Sequence, residues 1–63
     1  MPFADKLKRA RLRAGLTQPQ LAARSGVPQP TISRLEAGKY KPQHGTLLRL
    51  ARALGVSLDA LAQ

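Results

Sequence analysis

The sequence predicts an all-α fold, a compact bundle of five helices, on three observations. Leu, Ala and Arg, all strong helix formers, are abundant among its 63 residues. Only two aromatic residues, Phe3 and Tyr40, are present to favour strands. Glycines also fall where apolar repeats of helical spacing end. A chain of this length is expected to form one domain, residues 1–63. Such a domain buries only about 60% of the surface that its unfolded form exposes, so the core is thin.

The first helix is expected over Ala4 to Ala14. Phe3, Leu7, Ala10 and Ala14 recur at spacings of 4, 3 and 4, which stacks them on one face. Arg11 borders that face, Leu12 points away from it, and Gly15 stops the helix. The second helix starts at "LTQPQL". Thr17 and Gln20 have the spacing of a capping box, and Leu16 and Leu21 that of a hydrophobic staple. Pro19 falls in the first turn, where its missing N–H matters little. The helix runs to about Ser25, with Leu21 and Ala22 inward, and Gly26 terminates it.

The third helix opens on "VPQPT" and ends near Ala37, before Gly38. Two starts fit. Either Val27 is the cap and Pro28 and Pro30 are the first and third helical residues, or Gln29 is the cap and Pro30 comes first. The second start respects the preference of a pre-proline residue for extended backbone. "GKYKPQHG" reads as an irregular basic loop. The fourth helix follows from Thr46 to Leu54, with Leu47, Leu50, Ala51 and Leu54 on one face and Gly55 beyond its end. His44 and Gly45 precede it, and Gln43 is a poor cap. His44 reads as a surface or capping group. In the short fifth helix Ser57 caps, Val56 and Leu61 staple, and Asp59 suits the positive first turn.

Eleven Lys and Arg stand against three acids, a net charge of +8. That spreads positive potential over most of so small a surface, for which nucleic acid is the usual partner. The plainer reading is a compositional or solubility device. No apolar run approaches the roughly 18 residues of a membrane span. The basic N-terminus lacks the apolar stretch of a secretory signal, so a cytoplasmic protein is expected. A cationic membrane-surface helix is the alternative, against which the capping motifs argue. Enzyme chemistry has little material. There is one histidine and no cysteine, and the three acids have structural places, so neither a catalytic triad nor a metal or other cofactor site is expected.

Helix two, a glycine-bearing turn and helix three have the layout of a helix-turn-helix. The residues add detail. "LTQPQLAARSGVPQPTISRLEAGKYKP", continued by "LLRLARALGVSLDAL", resembles the phage-repressor and Cro-type helix-turn-helix family of DNA-binding regulators. The matching positions include Leu16-Thr17-Gln18, Leu21-Ala22, Gly26-Val27, Thr31-Ile32-Ser33, Leu35-Glu36, Gly38-Lys39 and Pro42, within a resemblance spanning about Leu7 to Leu61. His44 departs from the pattern, which is usually apolar there.

The resemblance implies a lambda-repressor-like fold whose third helix enters the major groove. Helical spacing puts Gln29 with Ser33 and Pro30 with Arg34 on its outer face, with Thr31 beside the inward Ile32 and Leu35. Gln29, Pro30, Ser33 and Arg34 are therefore the expected base-contacting residues. A glutamine can bridge adenine N6 and N7, and an arginine guanine O6 and N7. Pro30 offers methylenes to a thymine methyl or a sugar. Thr17 and Gln18, at the start of helix two, and Lys39, Tyr40, Lys41 and Gln43, in the loop, are expected along the phosphate backbone. For Gln29, Arg34, Lys39 and Lys41 the alternative is simple solvation, and for the two prolines it is that they merely set the helix start and lower the entropy of the unfolded chain. Arg24, Arg49 and Arg52 read as general surface charge. Glu36 would repel phosphate, and Arg11 is its natural partner. In the resembled family these two positions form a partly buried ion pair joining helices one and three.

The expected function is sequence-specific binding of double-stranded DNA by a bacterial or phage transcriptional regulator, a repressor reading an inverted repeat as a homodimer. Nucleoid association would follow from DNA binding. With the chain ending just after helix five, a dimer is expected to use the ends of helices four and five, with Leu58 and Leu61 as candidates, or to form on DNA. The alternative is an antitoxin-type DNA-binding protein whose main partner is a toxin.

Overall fold

The computed structural model describes residues 2–62. Five helices follow one another: α1 (Phe3–Arg13), α2 (Gln18–Ser25), α3 (Gln29–Glu36), α4 (His44–Leu54) and α5 (Leu58–Ala62). Helix α1 packs on α3 and α5, α2 on α3 and α4, and α4 on α5. Every helix contributes to one core. Leu7, Leu21, Ile32, Leu35, Leu50 and Leu61 have no more than 1% of their surface exposed. None of the described helices is long and apolar enough to cross a membrane.

Helix α1 begins at Phe3 and ends one residue before the expected Ala14. Gly15, at φ +73°, turns the chain. Its N–H donates to the Leu12 carbonyl at 3.0 Å, and that of Leu16 to the Arg11 carbonyl at 3.1 Å. This left-handed closure occupies two carbonyls that the helix would leave open. It also makes Ala14 an exposed cap rather than a member of the buried face, and it returns Leu16 to the core.

Helix α2 starts at a complete capping box. Gln20 N–H donates to Thr17 Oγ1 at 3.2 Å, and Thr17 N–H to Gln20 Oε1 at 2.9 Å. Helix α3 takes neither of the two expected starts. Pro28, at φ −57° and ψ 141°, is the cap, Gln29 is the first helical residue and Pro30 the second. The Pro28 carbonyl accepts from Thr31 N–H at 3.0 Å and Ile32 N–H at 3.2 Å, so the first turn is tight. Val27 is thereby drawn into the core at 3% exposure, its N–H donating to Ser25 Oγ at 3.1 Å.

Helix α4 begins at His44, two residues before the expected Thr46. Gln43 is extended at φ −69° and ψ 158°, and its carbonyl accepts from Leu47 N–H at 2.9 Å. His44 and Gly45 therefore belong to the helix and not to the loop. Both are exposed, so the turn they add carries no apolar periodicity. In α5, Ser57 Oγ accepts from Ala60 N–H at 3.1 Å. Leu61 is core, only 1% exposed, which removes it as a dimer contact and leaves Leu58, half-buried.

Candidate nucleic-acid interface

Helix α3 presents two chemically distinct sides. Ile32 and Leu35 are buried and Thr31 is half-buried, whereas Gln29, Pro30, Ser33 and Arg34 are exposed together. The side chains of Gln29, Ser33 and Arg34 form no hydrogen bond with the described residues. Their donors and acceptors are therefore available outward, on a helix whose opposite side is fixed by the core.

One charged cluster also ties that helix to α1 and α2. Arg11 Nε donates to Glu36 Oε2 at 2.7 Å and Arg11 Nη2 to Glu36 Oε1 at 3.0 Å, a two-pronged pairing. Arg11 Nη1 donates to the Leu16 carbonyl at 2.8 Å, and Gln18 Nε2 to Glu36 Oε1 at 3.1 Å. The paired side chains are only 10% and 5% exposed. The cluster joins α1, the turn after it, the start of α2 and the end of α3. The hydrogen bonding that Arg11 donates to Glu36, opposed by burial and reinforced by the carboxylate's charge, holds the guanidinium even more basic than usual. The one acid on α3 is thus turned inward and neutralised.

Ten of the eleven Lys and Arg side chains carry no ion pair among the described residues. Lys39, Tyr40, Lys41 and Gln43 lie exposed in the connection from α3 to α4. Tyr40, Lys41, Gln43 and Thr31 line a groove of about 320 Å³ between the two helices. The loop therefore borders α3 at Thr31 and Leu35.

The Gln18 contact with Glu36 was not expected from the sequence. The side chain proposed for phosphate is half-buried and already donates one amide hydrogen inward. No local pattern signals this, because Gln18 and Glu36 are 18 residues apart. A phosphate at this helix start would use the Gln18 backbone N–H. Pro19 has none, and those of Thr17 and Gln20 are taken by the capping box.

A family model described as helix-turn-helix matches residues 7–61. A transcriptional regulator of the helix-turn-helix type from Haemophilus influenzae is 46% identical over 50 residues, 79% of this chain and 51% of that protein. The regulator y4dJ of Sinorhizobium fredii is 51% identical over 49 residues, 78% of this chain and 64% of that protein. YqaE of Bacillus subtilis, of the same type, is 36% identical over 59 residues, 94% of this chain and 51% of that protein. The chain thus spans about half the length of two of these relatives and under two thirds of the third. The crystal structure of the restriction-modification controller protein C.AhdI from Aeromonas hydrophila superposes with a TM-score of 0.91 at 30% identity, covering 95% of this chain and 91% of that one. With the family match extending from α1 into α5, the chain belongs to the helix-turn-helix family of DNA-binding regulators.

Proposed function

We propose that this protein regulates transcription by reading a specific sequence of double-stranded DNA through the major groove, as a repressor of a bacterium or phage. The observation that carries the reading is the exposed side of α3. Gln29, Pro30, Ser33 and Arg34 stand together with no hydrogen-bond partner among the described residues, on a helix held by a largely buried ion pair. In this reading Gln29 and Arg34 read base edges. Ser33 hydrogen-bonds to a base, and Pro30 packs against a thymine methyl or a sugar. Thr17, the Gln18 backbone N–H, Lys39, Tyr40, Lys41 and Gln43 fix the register on phosphates.

A two-fold dimer would place two copies of α3 in successive major grooves, about 34 Å apart, and would require an inverted repeat. Leu58 is the remaining side-chain candidate for that contact. The reading implies a cytoplasmic protein, bound to the chromosome, in which residues 1–63 form one domain.

The test is in vitro selection from random duplex DNA at near-physiological salt. An enriched inverted repeat is the expected result, and it gives operator and spacing together. Binding without enrichment would leave only the +8 charge to hold DNA and would overturn sequence reading.

A further inference from the structure

A second surface lies on the other side of α1. Helix α1 turns Leu7 and Arg11 into the core and the ion pair. Its next stripe carries Lys6, Arg9 and Arg13, spaced by one and two turns, with Ala10 between them. This stripe borders a groove of about 160 Å³ whose other wall is Val56, Ala60 and Leu61 at α5. The groove has an apolar floor and a rim of three cations. None of the three cations is paired with a carboxylate among the described residues.

We propose that this groove docks an acidic segment of another protein, with one large apolar side chain in the groove and carboxylates on Lys6, Arg9 and Arg13. The small volume of the groove, about 160 Å³, argues for a single anchor. The rim selects the charge of the flanking residues. A second copy of this chain is a poor occupant. It would bring the same positive surface and, with Glu36 engaged, only Asp5 and Asp59 as free acidic side chains among the described residues. A phosphate backbone would use the rim but gain nothing from Ala10 and Val56. No residue of α2 or α3 lines the groove, so the surface proposed to read DNA remains free while the segment is bound.

The test uses the full chain, labelled with ¹⁵N, and an end-blocked peptide Asp-Glu-Phe-Asp-Glu, at about 0.15 M salt, where charges beyond ~8 Å are screened. Amide shifts are expected to concentrate at Ala10, Val56, Ala60 and Leu61. A twin peptide with Ser for Phe is expected to bind at least about tenfold more weakly, because it loses the buried ring. Arg9→Glu and, separately, Arg13→Glu are expected to weaken the peptide about tenfold while the helical spectrum and DNA binding persist. Shifts scattered over the basic surface, equal binding of the two peptides, or no shift at millimolar peptide would each overturn the proposal. So would a DNA duplex that perturbs the same four amides and displaces the peptide, which would give the groove to nucleic acid.

Discussion

Helices α2 and α3 begin with the same dipeptide at the same two positions. Gln18-Pro19 and Gln29-Pro30 each supply the first and second helical residues. In both, the proline removes a backbone donor that would have no helical partner, leaving the glutamine N–H among the unpaired donors. In both, a residue before proline enters the helix against its usual preference. The side chains then diverge. Gln18 is half-buried and donates to Glu36, whereas the Gln29 side chain is exposed and donates to none of the described residues. The difference lies in what the tertiary structure brings alongside. The end of α3 returns Glu36 to the start of α2, and no carboxylate pairs at the start of α3. One local sequence thus serves the fold in one place and is left open to a ligand in the other.

The strongest way to break this contrast is to remove the carboxylate. Glu36→Ala leaves Arg11 buried without its charge partner and is expected to cost about 3–5 kcal/mol in urea unfolding. That is a large share of the roughly 5–15 kcal/mol available to a native domain. A loss below about 1 kcal/mol would mean that the pair behaves as an exposed one. Gln18→Ala is the next effect. It removes a hydrogen bond to a charged group and is expected to lower stability by about 1.5–3 kcal/mol. In the Glu36→Ala background the same change should cost far less, because the two side chains share one interaction.

Gln29→Ala should do the opposite. Its stability is expected to stay within about 0.5 kcal/mol of the parent, as for an exposed site without special contacts. Its DNA discrimination is expected to fall by about 1–3 kcal/mol at one base pair. Competition binding against single-base variants of the selected operator measures that loss. If Gln29→Ala weakens all sequences alike, the outward glutamine is not reading a base. Lys41→Ala is expected to produce that uniform loss, lowering the slope of log affinity against log salt by about 1.

Most of the helices were legible because each carries its own punctuation. The Thr17 capping box, the Ser57 cap and the stops at Gly15, Gly26 and Gly55 are all local. What was not legible depends on distant partners or on exposed positions. Val27 enters the core only because Pro28, and not Val27 or Gln29, caps α3. Gln18 turns inward only because Glu36 is there. His44 and Gly45 join α4 without burying a side chain, so hydrophobic periodicity could not include them. The outward set on α3 followed from helical spacing alone, since Ile32 and Leu35 fix which side is buried.

The start of α4 extends the comparison to a third case. Here Gln43 makes no side-chain cap, and the second helical residue is Gly45 where α2 and α3 have proline. The fold has not optimised this entrance, although Gln43 lies in the loop proposed to touch phosphate. Gln43→Ser would supply the missing cap and is expected to stabilise the domain by about 1 kcal/mol in urea unfolding. If Gln43 is kept for the backbone of DNA, the same variant should bind the operator more weakly while folding more stably, the usual exchange at a functional position. Gly45→Ala separates the two effects. Its Cβ would meet nothing within 4 Å, and it is expected to stabilise by about 0.5–1 kcal/mol. It should do so with no loss of DNA affinity, because it stiffens the helix without removing a donor. A gain in stability from both variants, with affinity lost only in Gln43→Ser, would assign the weak cap to binding. Unchanged affinity in both would make the entrance merely unoptimised.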